Sequence, residues 1–118
     1  EFAQIIPNSK LKKMYIFNIT YVIPSKRKDS FIEWAKGEAR LAASSEKLRD
    51  YKLITVVAIP GDKDFAKQDE KNFSIQMYFD SVAACREWNE KNFPAFMDSY
   101  TRWHGPNPLF FATILKEL

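Results

Sequence analysis

The chain is poor in the residues that most enzymes and metal proteins depend on: it has one cysteine, one histidine and three glycines in 118 residues. With Cys85 alone, no intrachain disulfide can form, which suits a reducing compartment. A metal centre needs several matched ligands, and His104 has no His/Cys cluster around it. Three glycines standing apart exclude a glycine-rich phosphate loop. No apolar run approaches the ~20 residues of a membrane span. Residues 1–7 do not follow the pattern of an intact signal peptide, a charged leader ahead of a long apolar stretch. The net charge is only +3, and the charges are interspersed apart from short basic clusters at 10–13 and 26–28. That describes a solvated surface better than a nucleic-acid footprint. The expectation is a cytoplasmic protein without cofactor, metal or membrane segment.

What is present is a clear order of hydrophobic periods. One domain over residues 14–118 is expected, preceded by an N-terminal extension or artificial remnant at 1–13. Residues 14–23 alternate: Tyr15, Phe17, Ile19, Tyr21 and Ile23 share one parity, while Asn18 and Thr20 share the other. A period of two sends alternate side chains to opposite faces of a strand. Ser30 with Glu33 reads as a capping box opening a helix. Phe31, Ile32, Ala35, Ala39, Ala42 and Ala43 then form its buried stripe, flanked by Trp34 and Leu41, and Ser44 and Ser45 mark its end. Residues 51–59 are β-branched and strand-like, and Pro60-Gly61-Asp62 stops them. A long, mobile hairpin loop is expected at 60–71.

Residues 72–79 alternate again, with Phe73, Ile75, Met77 and Phe79 against Ser74, Gln76 and Tyr78. Asp80 or Ser81 caps a second helix carrying Val82, Cys85 and Trp88 on one face. Pro94 interrupts it, so the helix kinks or restarts there. Phe96, Met97, Tyr100 and Trp103 resume helical spacing, residues 105–108 form a turn, and 109–115 form the last strand.

Strand, helix, strand, strand, helix, strand is the α+β, ferredoxin-like βαββαβ arrangement, a four-stranded antiparallel sheet with two helices on one face. Two assignments of the bare face compete. In the first, Tyr15 and Phe73 point outward and stack bases, as in the RNA-recognition module. That buries Asn18, Thr20, Ser74 and Gln76 beneath the helices, at roughly 1–3 kcal/mol for each unpaired group. The second assignment buries Phe17, Ile19, Phe73 and Ile75 and is favoured. Its open face carries Met14, Ile16, Asn18, Thr20, Val22, Ser74, Gln76 and Tyr78, with Val56 and Thr113 as further candidates. Such a semi-apolar surface marks an interface, and two sheets facing across a two-fold axis would make a dimeric α+β barrel.

The stretch Met14-Tyr15-Ile16-Phe17-Asn18-Ile19-Thr20, the helical Trp34, Ser74-Ile75-Gln76-Met77-Tyr78, the helix with Pro94 and the closing Phe110-Phe111-Ala112-Thr113 resemble domain of unknown function 4286. This is a family of short, mostly bacterial proteins. The resemblance spans residues 14–118 and implies a ferredoxin-like, dimeric fold with no established activity. By matching position it selects Asn18, Thr20, Gln76, Tyr78 and Thr113 as ligand-binding or interface residues. The extension at 1–13 departs from the family, and Met77 stands between Gln76 and the aromatic.

Other constellations read as structural. Cys85 is a buried thiol and His104 a helix-end residue near solvent, too far along one broken helix to make a thiolate–imidazole pair. Glu87 with Glu90, and Asp62 with Asp64, read as solvated carboxylates. Trp34, Trp88 and Trp103 read as core or interface anchors. Asn, Thr, Gln and Tyr supply donors and acceptors but no strong base or nucleophile. The function expected is therefore noncatalytic binding or interaction through the open face of a homodimer, with a small molecule as a further partner. The alternatives are a monooxygenase-like dimeric-barrel enzyme, in which Asn18, Gln76 and Tyr78 orient a substrate, and single-stranded RNA binding.

Overall fold

The computed structural model describes residues 13–105 and 109–118. Four strands form one antiparallel sheet: β1 (Tyr15–Pro24), β2 (Asp50–Thr55), β3 (Glu70–Phe79) and β4 (Phe110–Lys116). Their spatial order is β2-β3-β1-β4, which puts the first and third strands in the middle. The expected extension at 1–13, apart from Lys13, and the turn at 105–108, apart from Gly105, lie outside the described residues.

The helical layer is more broken than the two helices expected. A 3-10 turn (Ser25–Arg27) leads into α1 (Lys28–Lys36), and Gly37 separates it from α2 (Glu38–Ala43). A Cβ at Gly37 would lie 3.1 Å from the Glu33 carbonyl, a contact tight enough to favour glycine at this bend. Ser30 lies inside α1 and does not cap it; the chain enters the helix through the 3-10 turn after Pro24. α3 (Val82–Lys91) and α4 (Phe93–His104) divide the second helical region. The Ser81 hydroxyl accepts the Ala84 N–H at 3.1 Å and caps α3. Pro94 sits in the first turn of α4, where its missing N–H costs nothing. Gly105 ends α4 at φ 86°, a left-handed conformation that suits glycine.

The strands match the reading except at their ends. β2 stops at Thr55, although the β-branched run continues to Ile59, and β3 begins at Glu70, inside the expected loop. Phe65 in that loop is buried, anchoring a second 3-10 turn (Phe65–Lys67).

Parity decides the core. Phe17, Ile19, Tyr21 and Ile23 of β1 and Phe73, Ile75, Met77 and Phe79 of β3 are all at most 4% exposed and face the helices. The expected alanine stripe holds at Ala35, Ala39 and Ala43, which are fully buried. Trp34, read as a flank of that stripe, is instead at its centre and fully buried, while Leu41 is exposed. The Trp34 indole donates to Ser99 Oγ of α4 at 2.9 Å, so its polar edge is satisfied inside the core. Trp88 donates to the Ala43 carbonyl at 2.8 Å, and the Tyr51 hydroxyl donates to the Ala35 carbonyl at 2.7 Å.

Candidate functional site

The helices cover one face of the sheet, and the site candidates occupy the other. On this face the register aligns side chains in rows. Lys52, Gln76, Asn18 and Thr113 form one row across all four strands. Ile54, Ser74, Thr20 and Phe111 form the next, and Asp50, Tyr78, Ile16 and Leu115 the one on the other side.

Four of the five sequence candidates join one hydrogen-bonded chain. The Tyr78 hydroxyl donates to Gln76 Oε1 at 2.9 Å, and Gln76 Nε2 donates to Asn18 Oδ1 at 3.1 Å. Asn18 Nδ2 donates to Thr20 Oγ1 at 3.2 Å, and Thr20 Oγ1 lies 3.2 Å from Ser74 Oγ. Either hydroxyl can donate in this last bond, since Thr20 Oγ1 can accept from Asn18 and from Ser74 together. From Tyr78 to Thr20 the donors run one way, and such a chain is cooperatively polarised. Whichever of Thr20 and Ser74 accepts in that bond keeps an O–H left to give. Thr113 stands beside Asn18 in register, without a hydrogen bond into the chain.

Ser74 and Lys52 were not among the sequence-level site residues. Ser74 was legible as an open-face residue, but its bond to Thr20 depends on the β1–β3 register. Lys52 places its ammonium 5.0 Å from the centre of the Tyr78 ring, a cation–π contact from the neighbouring strand. Only the parity of β2, set by the buried Tyr51, identifies it.

A concavity of about 410 Å³ opens at the Ser74 end. Its walls are largely apolar, from Val22, Ile54, Val56 and Phe111, with Thr20, Ser74 and Asn72 as polar points. Asn18, Thr20, Ser74, Gln76 and Tyr78 are half-buried in the single chain. This lining contains no carboxylate, histidine or cysteine.

The remaining candidates lie elsewhere. Phe73 is buried beneath the helices, and Tyr15 shares its parity, so the pair cannot stack bases on the open face. Cys85 is fully buried, and burial pushes its thiol above the ordinary range. His104 ends α4 as expected and is partly exposed, with one side of its ring turned to the core. Its ring packs on Phe31, Trp34 and Tyr100, and its buried Nε2 has no hydrogen-bond partner among the described residues. Burial, with Arg27 nearby, holds its pKa below the ordinary 6.5. Glu87 pairs with Lys91 at 2.8 Å and Lys47 at 3.1 Å, and those bonds lower its pKa. Asp62 accepts the Asp64 N–H in a loop turn. No group of acidic, histidine and cysteine side chains suited to a metal occurs among the described residues. No helix among them is long and apolar enough to cross a membrane.

The model of a domain of unknown function (DUF4286) matches residues 14–118, nearly the whole chain. The chain belongs to that family. No curated protein compared with this DUF4286 chain matches it in sequence. Solved structures share its architecture. An ethyl tert-butyl ether d (ethd) family protein from Bacillus halodurans superposes with a TM-score of 0.66 at 18% identity, covering 89% of this chain and 99% of that one. A proposed antibiotic biosynthesis monooxygenase from Nitrosomonas europaea gives 0.59 at 9% identity, over 89% and 90% of the two chains. A dimeric ferredoxin-like protein of unknown function from Thermobifida fusca gives 0.54 at 14%, over 88% and 92%. These likenesses establish that DUF4286 has the ferredoxin-like α+β fold.

Proposed function

We propose that the chain is a noncatalytic binding protein that works as a homodimer, its two open sheet faces enclosing a semi-polar cavity. One observation carries this reading: a hydrogen-bonded chain from Tyr78 to Ser74 lies in a semi-apolar surface and ends at a largely apolar concavity. Left open, the face would keep Ile16, Val22, Ile54 and Phe111 in water beside polar groups already bonded to one another. A second copy removes that apolar area from water and leaves the Ser74 hydroxyl facing the enclosed space. The ligand that fits is small and mainly apolar, with one hydrogen-bond acceptor. The dimeric neighbour from Thermobifida fusca supports the assembly through its shared fold.

Light scattering at two concentrations tests the dimer: a mass twice that of the single chain is expected, and a monomer at both concentrations would sink the reading. An anilinonaphthalene sulfonate probe, which has an apolar ring system and an acceptor group, is expected to fluoresce in the native dimer. The enhancement should fall on Ser74→Ala with the dimer intact. A dimeric-barrel enzyme is the second reading, favoured by the fold shared with the Nitrosomonas europaea neighbour. There Asn18, Gln76 and Tyr78 would orient a substrate, but the concavity's lining holds no carboxylate, histidine, lysine or cysteine to act as base or nucleophile, which favours binding.

A further inference from the structure

The two edges of the sheet are finished differently. β4 is an edge strand made of Phe110, Phe111, Ala112, Thr113, Ile114, Leu115 and Lys116, with a single charge at its end. The Val22 N–H donates to the Leu109 carbonyl at 3.2 Å, and the Glu117 N–H donates to the Met14 carbonyl at 3.0 Å. Residues 109 and 117, and every second residue between them, therefore turn their N–H and C=O groups toward β1. The alternate residues, Phe110, Ala112, Ile114 and Lys116, turn theirs outward, where they meet no backbone partner among the described residues. A long, flat, apolar edge of this kind is a template for another strand.

At the opposite edge, β2 leaves the sheet at Thr55, whose hydroxyl donates to the Asn72 carbonyl at 2.7 Å. The strand-like run 56–59 then continues without a ladder, with Val57 84% exposed and Val56 and Ile59 nearly half exposed. The Ile59 carbonyl closes a turn with the Asp62 N–H at 2.9 Å, but the run has no ladder, and the two strand-competent segments lie on opposite edges, so one chain cannot join them. Two chains related by a two-fold axis join both pairs at once, because an isologous contact is made twice. Neither segment carries charge apart from Lys116, so nothing repels the approach.

We propose that residues 56–59 of one copy pair as a strand with the outer edge of β4 in a second copy, closing the two sheets into a continuous barrel. The inference rests on the homodimer of the preceding section and adds the seam that closes it. The segment also supplies Val56 to the wall of the concavity, so the seam and the ligand space share a boundary.

Backbone hydrogen exchange on the full chain tests it. The Ala112 and Ile114 amides are expected to exchange slowly in the dimer and to lose that protection on dilution to monomer. Ala112→Pro removes an outward donor while sparing the bonds to β1, so circular dichroism should hold while the dimer dissociation constant rises about tenfold or more. Should that variant fail to fold, Val57→Asp, at a solvent-facing position, is expected to weaken the dimer similarly. A chain that is monomeric at every concentration overturns the face-to-face reading as a whole. A dimer whose Ala112 and Ile114 amides exchange freely, or whose strength survives Val57→Asp, overturns only the edge pairing. Protection that persists in the monomer also overturns it, by showing that the chain's own residues cover the edge.

Discussion

On the helix-covered face of the sheet, Phe17, Ile19, Ile75 and Met77 are essentially inaccessible. One residue away along the same strands, Asn18, Thr20, Gln76 and Tyr78 are half-exposed. The two faces handle polar atoms by different rules. On the covered side, the large aromatic donors meet partners brought from another element, with His104 Nε2 the exception among the described residues: Trp34 meets Ser99, Trp88 the Ala43 carbonyl, and Tyr51 the Ala35 carbonyl. On the open side, the polar groups bond to their own strand or to the neighbouring one and leave a hydroxyl over. A closed core favours satisfied polar groups, because an orphaned one there keeps its full desolvation cost. A surface with one donor in reserve suits a molecule that arrives later.

Alanine substitutions separate the two faces. Trp34→Ala should cost about 3–5 kcal/mol in denaturant unfolding, because it opens a cavity and deprives Ser99 of a donor. Gln76→Ala should cost about 1 kcal/mol or less in the single chain, while loosening the dimer more, since Tyr78 and Asn18 both lose a partner. Equal losses from the two variants would break the distinction between covered and open face.

A pH series sharpens it. His104 lies against the covered core and is held below its ordinary 6.5, so the folded state resists its protonation. Its contribution is fully present above 6.5 and is lost as pH falls below that value through the lowered folded-state pKa. The Glu38 carboxyl is held below its ordinary 4.5 by hydrogen bonds from Ser99 and Trp103, and then Arg102, so its contribution disappears only at lower pH, below 4.5. The melting temperature should therefore begin to fall below 6.5 and fall further below 4.5. His104→Gln should flatten the upper step alone; an unchanged upper step would show that another group titrates there. The smallest effect is expected from Lys52→Ala, which removes a half-exposed cation–π contact with Tyr78 worth about 0.5 kcal/mol and should barely move the unfolding midpoint.

Much of this was legible before any coordinates. Alternation in residues 14–23 and 72–79 is a local signal, so the covered and open sets could be told apart by parity alone. The restart of the second helix at Pro94 and the Ser81 cap were equally local. The position of Trp34 was not: its indole is buried because Ser99, 65 residues on, accepts its proton, and no pattern around residue 34 announces that. The end of β2 was misjudged for a related reason. Residues 56–59 have the β-branched composition of a strand, but composition gives no ladder partner, and among the described residues they have none.

The amino-acid order by itself determined the succession of strands and helices and which side of each central strand is apolar, because both are set by neighbours within a few residues. Tertiary structure alone decided the β1–β3 register that links Tyr78, Gln76, Asn18, Thr20 and Ser74 in one hydrogen-bonded chain. It also decided that the sheet has one charged edge, with Asp50 and Lys52, and one bare apolar edge in β4. Those features join residues more than fifty positions apart, and contact at that range exists only once the chain has folded back on itself.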